Sequence, residues 1–429
     1  MEMIEYRGNF VQEIVYEKVL KNGLRVFYMP KKGYTKQYAI FATNFGSNDV
    51  SFKRNKEGII YNVNEGVAHF LEHKIFEEKE GNVFDQFAAR GANVNAYTNF
   101  NVTAYYFTST DNFYKNLYDL VSFVQNPYFT DENVEKEKGI IAQEIKMYED
   151  NPDWKVYFNA LKSMYREHPV RNNIAGTVES ITRITKEELY DCYNTFYRPE
   201  NMVLFVSGDL EKEKIFETVE QYYNHKVLEH TMEKETRNYP EEPVEINQSI
   251  IVDSMAVSLP LFYVGYKDVD LNLKGRQLLE KEIELRLLLD ILFGKSSELY
   301  EHLYQKGLIN ESFGGDYSGH INYGHIVVGG ESKNPTEVLE IMDTYMNEKM
   351  NHGLAEEDFI RIKKKQMGEN ITSLNSLEFV GSSFISYIFK DINFIEYIDV
   401  LKETTFEKVE KRFKSYFLKE RQILSIIKS

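Results

Sequence analysis

The chain has 429 residues, a hydrophobic fraction of 42% and a formal net charge of -16. Domains usually hold about 100–200 residues, so this length indicates more than one domain, and the apolar fraction excludes disorder as the main state. The acidic excess excludes nucleic acid and anionic membrane surfaces as preferred partners, because both attract clusters of Lys and Arg.

Several sequence features bear on the compartment. Cys192 is the single cysteine, so no internal disulfide can form, and a reducing compartment is expected. The N-terminus has no apolar stretch typical of a signal peptide, and no window approaches the ~18 apolar residues of a membrane span. We therefore predict a cytoplasmic protein with no membrane span.

The first half is predicted to mix strands and helices, because its apolar residues alternate with period two in some segments and with helical spacing in others. In chain order the predicted elements are strands at 24–29 and 38–43, helices at 64–79 and 83–90, an extended segment at 93–106, and helices at 111–126 and 131–150.

The second half repeats this order. Residues 225–246 are polar and lack periodicity, which predicts a linker, and a strand pattern at 249–264 and a long helix at 274–293 follow. The segment at 185–206 aligns without gaps with residues 405–426, at an offset of 220. Helix followed by strand at one offset predicts an α+β fold class with two tandem homologous domains, at 1–224 and 247–429.

The most specific motif is His69-Phe-Leu-Glu72-His73. Residues i and i+4 of a helix lie on one face, so both imidazoles can bind one ion with Glu72 beside them. Neutral imidazoles are good zinc ligands, and this spacing is the inverzincin motif HxxEH. The alternative is that these side chains decorate a helix without a metal.

A catalytic zinc needs a third protein ligand, and Glu137 and Glu144 are seven residues apart on a predicted helix. Ile140 and Ile141 between them predict that this face is buried, where a carboxylate is costly unless it is paired or metal-bound. We predict that Glu144 binds the metal and that Glu137 accepts the free N–H of a ligating histidine. Glu72 would take a proton from water and return it to the leaving amine, which hydrolyses a peptide bond without a covalent intermediate.

Two segments, GVAHFLEHKIF and EKEKGIIAQEI, resemble the pitrilysin and mitochondrial-processing-peptidase family (M16), in particular its short bacterial zinc-bearing members. The resemblance covers the whole chain, and it is specific in the first half and loose in the second. It implies a zinc metalloendopeptidase with one Zn²⁺ per chain. It also implies that each domain is a mostly antiparallel sheet covered by helices, as in mitochondrial-processing-peptidase-like metallohydrolases.

The same resemblance implies a substrate-binding edge strand beside the zinc. Asn95 and Ala96 match that strand, with Tyr105 downstream as a further substrate contact. Peptides that add to a sheet edge are held by backbone bonds and are read with limited side-chain selectivity. The alternative is an ordinary sheet strand with an asparagine at a turn.

The second half departs from the family pattern. Members that act alone carry an Arg and a Tyr seven residues apart in the domain opposite the zinc, but here Tyr304 stands in place of the Arg and Asn310 or Glu311 in place of the Tyr. The long helix at 278–290 contains no histidine. The resemblance therefore implies a heterodimer, with a companion subunit that lacks HxxEH and supplies the missing pair.

The predicted function is zinc-dependent hydrolysis of small unfolded peptides or peptide precursors, including the leader of a ribosomally made peptide. Two alternatives are a noncatalytic scaffold and a peptide-binding subunit with a structural zinc, although a structural site is closed by four protein ligands and only three are identified. Glu77, Glu78 and Glu80 follow the motif and are candidates for favouring basic peptides, with an ordinary solvated face as the alternative.

Overall fold

The computed structural model describes residues 3–53, 59–79, 81–224 and 236–429. Residues 225–235 of the predicted linker lie outside these ranges, as does Glu80. Within them, every helix is too short or too polar to traverse a lipid bilayer.

The strands are numbered along the chain. They are β1 Ile4–Arg7, β2 Ile14–Val19, β3 Arg25–Pro30, β4 Gln37–Thr43, β5 Ser51–Lys53, β6 Ile60–Asn62, β7 Glu77–Glu78, β8 Gly81–Asn82, β9 Asn93–Thr98, β10 Thr103–Ser109, β11 Met202–Gly208, β12 Thr236–Arg237, β13 Ile250–Ser254, β14 Leu261–Lys267, β15 Gly314–Gly319, β16 Gly324–Glu331 and β17 Gln422–Lys428.

The α-helices are numbered in the same way. They are α1 Val67–Ile75, α2 Val83–Ala88, α3 Phe113–Val124, α4 Asp131–Glu149, α5 Pro152–Met164, α6 Val178–Arg183, α7 Lys186–Phe196, α8 Lys212–Asn224, α9 Gly275–Phe293, α10 Glu298–Gln305, α11 Pro335–His352, α12 Glu356–Ser373, α13 Leu377–Ile388, α14 Tyr397–Glu403 and α15 Phe406–Tyr416.

The chain forms two compact units, each built from three segments. The first unit contains Met1–Ile145, Asn173–Tyr239 and Ser373–Phe389, and the second contains Lys146–Asn172, Pro240–Thr372 and Lys390–Ser429. Helix α5 of the first half therefore belongs to the second unit, and α13 of the second half belongs to the first. The predicted boundaries at 224 and 247 make each domain one continuous stretch of chain. They do not predict that α5 and α13 each belong to the unit formed mainly by the other half of the sequence.

The first unit is built on a sheet of order β1-β2-β3-β11-β4-β10-β9, in which β3 and β11 are parallel and the other neighbours antiparallel. Its central strands are buried on both faces and read as continuous apolar runs rather than as alternating patterns. One face packs on α13, whose Phe384 ring lies 4.7 Å from the rings of Phe27 and Phe205. The other face joins a core shared with α1, α3 and α7.

The second unit contains a sheet of order β13-β17-β14-β16-β15, in which β13 and β17 are parallel and the other pairs antiparallel. Helix α5 packs on this sheet: Ser425 of β17 donates a hydrogen bond to the carbonyl of Val156, over 2.9 Å. The two mostly antiparallel sheets with their helices confirm the predicted α+β class.

The internal repeat is confirmed by the positions of the elements. Helix α15 and strand β17 each begin and end 220 residues after α7 and β11. The helix starts are also alike, because Thr185 and Thr405 cap them by accepting hydrogen bonds from the backbone N–H groups of Glu188 and Lys408. The two units are therefore copies of one domain.

The extended segment predicted at 93–106 is instead a hairpin of β9 and β10. Asn99 makes the turn, because its side-chain oxygen accepts hydrogen bonds from the backbone N–H groups of Asn101 and Val102, at 2.9 and 2.8 Å. The backbone N–H of Asn99 also bonds the carbonyl of Val102. The turn places β9 at the end of the sheet order in the first unit.

Candidate metal centre

Helix α1 begins where two backbone segments touch. Gly66 adopts φ 88°, and a Cβ atom there would lie 2.4 Å from the carbonyl oxygen of Ala175. A Cβ on Gly176 would lie 2.5 Å from the carbonyl oxygen of Glu65. Only glycine fits either position, and this close contact fixes where α1 starts and how it is oriented.

The two motif histidines and Glu144 converge in the first unit. His69 Nε2 lies 3.5 Å from one carboxylate oxygen of Glu144, and His73 Nε2 lies 3.4 Å from the other. These separations are longer than usual hydrogen bonds but close to the ligand–ligand spacing of about 3.4 Å around a tetrahedral zinc ion. Two imidazole nitrogens and one carboxylate oxygen are also a donor set that zinc prefers, so these residues fit the metal.

Glu137 orients one of these histidines. Its carboxylate lies 3.0 Å from Nδ1 of His73, which leaves Nε2 directed at Glu144. Burial by itself lowers the pKa of His73, but the carboxylates of Glu137 and Glu144 outweigh burial and raise this pKa to about 10. Nδ1 of His69 is buried and has no hydrogen-bond partner within the described ranges, so a carboxylate orients only His73.

Lys74, for which the sequence alone predicts no role, stabilises Glu137. Its side chain is fully buried, forms an ion pair with Glu77 and lies 3.7 Å from the second oxygen of Glu137. Burial raises the pKa of Glu137, but the hydrogen bond with His73 and the charges of His73 and Lys74 lower it overall. Glu137 is therefore a buried carboxylate held in its charged form.

Helical phase determines which side of α4 faces this cluster. Ile141 is fully buried in the core, but Ile140 is 48% exposed, so only Ile141 of the two supports the prediction that this face is buried. Glu144 is half-buried at the margin between the two sides of the helix. This position keeps its carboxylate accessible while Glu137, about two turns earlier on the helix, is enclosed.

Glu72 lies on the same helix and is held by Thr98. The hydroxyl of Thr98 donates a 2.6 Å hydrogen bond to one oxygen of Glu72. Thr98 lies outside the zinc motif, and no motif in the sequence indicates this role. Period-two alternation along β9 could have indicated it, because Thr98 shares a face with Val94, which packs in the core beneath α1.

Strand β9 pairs with β10 and, within the described part of the chain, has no other neighbour. Opposite residues of an antiparallel pair alternate between hydrogen-bonded and non-hydrogen-bonded pairs. Asn99 and Val102 form a hydrogen-bonded pair, so Ala96 and Tyr105, three residues further along each strand, form a non-hydrogen-bonded pair. The backbone N–H of Ala96 therefore points away from β10, where the side chain of exposed Asn95 accepts its hydrogen bond over 2.8 Å.

Tyr105 is not placed to contact a substrate. Its side chain is fully buried, and its hydroxyl lies 2.8 Å from that of Tyr197. The buried position gives no support to the predicted substrate contact of Tyr105, because strand alternation turns this side chain to the face of the sheet that the core covers.

Two further sets of residues predicted from the sequence are the glutamates that follow α1 and the residues that stand in place of the Arg and Tyr pair. Glu77 pairs with Lys74, and Glu78 accepts a hydrogen bond from Gln86, which reduces the free negative charge after α1. In the second unit, Tyr304 is 51% exposed, and Asn310 donates a 2.6 Å hydrogen bond to Glu331.

The chain matches two models of one protein family: Insulinase (Peptidase family M16) at residues 61–178 and Peptidase M16 inactive domain at 183–366. The uncharacterized zinc protease YmfH of Bacillus subtilis (strain 168) is 42% identical over 407 residues, which are 95% of this chain and 94% of that protein. An M16-like peptidase from Alicyclobacillus acidocaldarius is 38% identical, with a TM-score of 0.94, and the match covers 98% and 99% of the two chains. A protease from Helicobacter pylori shares the fold at 20% identity, with a TM-score of 0.84 and coverage of 99% and 100%.

Motif, fold and relatives agree, and the chain belongs to the M16 family of peptidases.

Proposed function

We propose that this chain is the zinc-bearing catalytic subunit of a cytoplasmic endopeptidase that hydrolyses small unfolded peptides. The observation that carries the proposal is the convergence of His69, His73 and Glu144 at zinc-ligand spacing, with Glu72 on the same helix. Zinc bound there would polarise the scissile carbonyl and make the attacking water more acidic. Glu72 accepts the proton of that water and returns it to the leaving amine.

The free edge of β9 supports an extended peptide as the substrate. A substrate strand can replace the side chain of Asn95 as the partner of the Ala96 N–H, so the peptide backbone rather than its side chains is bound. A short unfolded precursor, such as the leader of a ribosomally made peptide, can present such a strand without first having to unfold.

A companion subunit completes the proposal. Neither Tyr304 nor Asn310 supplies the Arg or Tyr of members that act alone, and α9 contains no histidine to form a second metal site. The match of the second half to a domain model described as inactive supports this division of labour. We expect a heterodimer in which an HxxEH-lacking M16-like chain provides those two side chains.

The test is peptide cleavage by the purified chain, alone and with an M16-like chain encoded beside it. Glu72→Gln is expected to keep one zinc per chain and to keep peptide binding, but to lose cleavage by at least about 100-fold, because the proton acceptor is gone. Glu149→Gln, an exposed position at the end of α4, is the matched control and should cleave normally.

Three outcomes would contradict the proposal. Cleavage that persists in Glu72→Gln shows that the assigned base is wrong. Full turnover by the chain alone, with no gain from a companion, rules out the division of labour. Zinc and peptide binding without cleavage in any combination favours the peptide-binding alternative.

A further inference from the structure

Thr98 links the metal-binding helix to the edge strand. Its hydroxyl donates a hydrogen bond of 2.6 Å to one oxygen of Glu72, and the two residues come from β9 and α1. A carboxylate on an isolated helix surface can rotate freely, whereas this bond restrains one of its two oxygens. The other oxygen has no hydrogen-bond partner among the described residues and can accept a proton from water.

We propose that Thr98 is a positioning residue for Glu72 and keeps its carboxylate oriented throughout the reaction. The proposal rests on the proposed function, because it requires Glu72 to be the group that receives the proton. Thr98 itself does not touch the reacting atoms. It acts through Glu72.

The hydrogen bonds around Thr98 determine which way its proton points. A hydroxyl has one proton to donate and can accept two hydrogen bonds. Thr103 uses its proton on the backbone carbonyl of Phe45, at 3.0 Å, so it has none left for Thr98, whose oxygen lies 3.3 Å away. The proton of Thr98 is therefore available to Glu72, and the oxygen of Thr103 remains as a second acceptor.

The Thr98 hydroxyl can therefore adopt two hydrogen-bonding arrangements. While Glu72 is ionised, Thr98 donates to it. Once Glu72 has taken the proton of the attacking water, Glu72 can donate to Thr98, and Thr98 can turn its own proton to the oxygen of Thr103. When Glu72 passes its proton to the leaving amine, Thr98 again donates to Glu72. Over the whole cycle neither Thr98 nor Glu72 gains or loses a proton.

The experiment compares Thr98→Val, which keeps the shape but removes the hydroxyl, with Thr98→Ser, which keeps the hydroxyl. Thr98→Val is expected to lower kcat about 10- to 100-fold with KM nearly unchanged, and Thr98→Ser to recover most of that loss. Thr108→Val, on neighbouring β10 and partly exposed, is the matched control and should leave both constants unchanged.

Two measurements do not depend on turnover. Zinc content and thermal stability should be the same in wild type, Thr98→Val and Thr98→Ser. In a Glu72→Gln background, the Kd of an unstructured peptide should be unaffected by Thr98→Val, because Thr98 is not proposed to bind substrate.

Each contrary result has a distinct meaning. Wild-type kcat in Thr98→Val, with Glu72→Gln inactive, overturns the positioning role and leaves the proposed function intact. Equal losses in Thr98→Val and Thr98→Ser show that packing, not the hydroxyl, matters. A change confined to KM or to peptide Kd assigns Thr98 to substrate binding and overturns the proposal, whereas activity in Glu72→Gln refutes the proposed function itself.

Discussion

His73 is half-buried and His325 is fully buried, and their surroundings move their pKa values in opposite directions. Two carboxylates face His73 and raise its pKa to about 10 despite burial. His325 in the second unit lies between the hydroxyls of Tyr157 and Tyr165, each 3.1 Å from a ring nitrogen. Burial, with a further electrostatic contribution from neighbouring His168, lowers the pKa of His325 to about 3. The fully buried His325, which has no carboxylate partner among the described residues, therefore favours its neutral form.

The neutral histidines of the second unit predict a pH-dependent stability. In the unfolded chain a histidine takes up a proton below about pH 6.5. Folded His325 and His168 do not, because their pKa values are about 3 and about 4. Between about pH 6.5 and 4 the unfolded state therefore binds more protons than the folded state. As the pH is lowered through this range, the unfolding free energy falls by about 1.4 kcal/mol per pH unit for each histidine.

Urea unfolding followed at pH 7, 6 and 5 measures this slope. His325→Gln should reduce the slope of unfolding free energy against pH by the contribution of about one proton, which is about 1.4 kcal/mol per pH unit. This reduction is expected whatever the effect of the substitution on stability at pH 7. An identical slope in wild type and variant would show that His325 is protonated in the folded state.

Helices α5 and α13 connect the two halves of the sequence. Each packs on a sheet formed mainly by the other half of the sequence. The contact between α13 and the first-unit sheet is close at Gly381, where a Cβ atom would lie 2.2 Å from Cε1 of Tyr38. The glycine lets the helix approach the strands, and the core of the first unit depends on that approach.

Gly381→Ala is expected to destabilise the protein. The added methyl group overlaps the ring of Tyr38, and overpacking of this kind costs about 1–3 kcal/mol. Gly368→Ala is the matched control, because Gly368 also lies in a helix and a Cβ there meets no atom within 4 Å. It should leave the unfolding free energy unchanged or raise it by up to about 1 kcal/mol.

Equilibrium denaturation of both variants decides between these expectations. Equal stability of Gly381→Ala and Gly368→Ala would mean that α13 can shift away from the sheet at little cost.

The candidate metal ligands belong to one of two copies of the same domain. Helices α1 and α4 bring the three candidate ligands together within the first unit, and their carboxylate and imidazole atoms lie within 4.8 Å of one another. Such a site differs from small zinc domains, which fold only with the metal. Here a hydrophobic core supports the site.

Zinc removal should therefore leave a folded protein. A ligand that binds only the folded state adds RT ln(1 + [L]/Kd) to stability, about 4 kcal/mol at a concentration 1,000-fold above Kd. Scanning calorimetry should show that zinc raises the melting temperature of wild type and Glu72→Gln alike. His73→Ala, which lacks a ligand, should show little rise.

Loss of helical circular dichroism on chelation would contradict this expectation, and so would a zinc-induced rise in His73→Ala equal to that of wild type.

Local spacing in the sequence was sufficient for the family, the repeat and the metal motif. Residues four apart on a helix share a face whatever the fold, so His69 and His73 converge by helix geometry alone. The 220-residue offset is likewise visible in the order of residues, because both copies keep the same cap and the same apolar positions.

Only the tertiary structure decided which distant groups meet. The bond of Thr98 to Glu72, the burial of Lys74 beside Glu137 and the inward orientation of Tyr105 depend on strand register and on the packing of α1 against β9. The exchange of α5 and α13 depends on which sheet face each helix covers. Such contacts join residues far apart in the chain, and the periodicity of a single segment shows which face of it is apolar but not which partner covers that face.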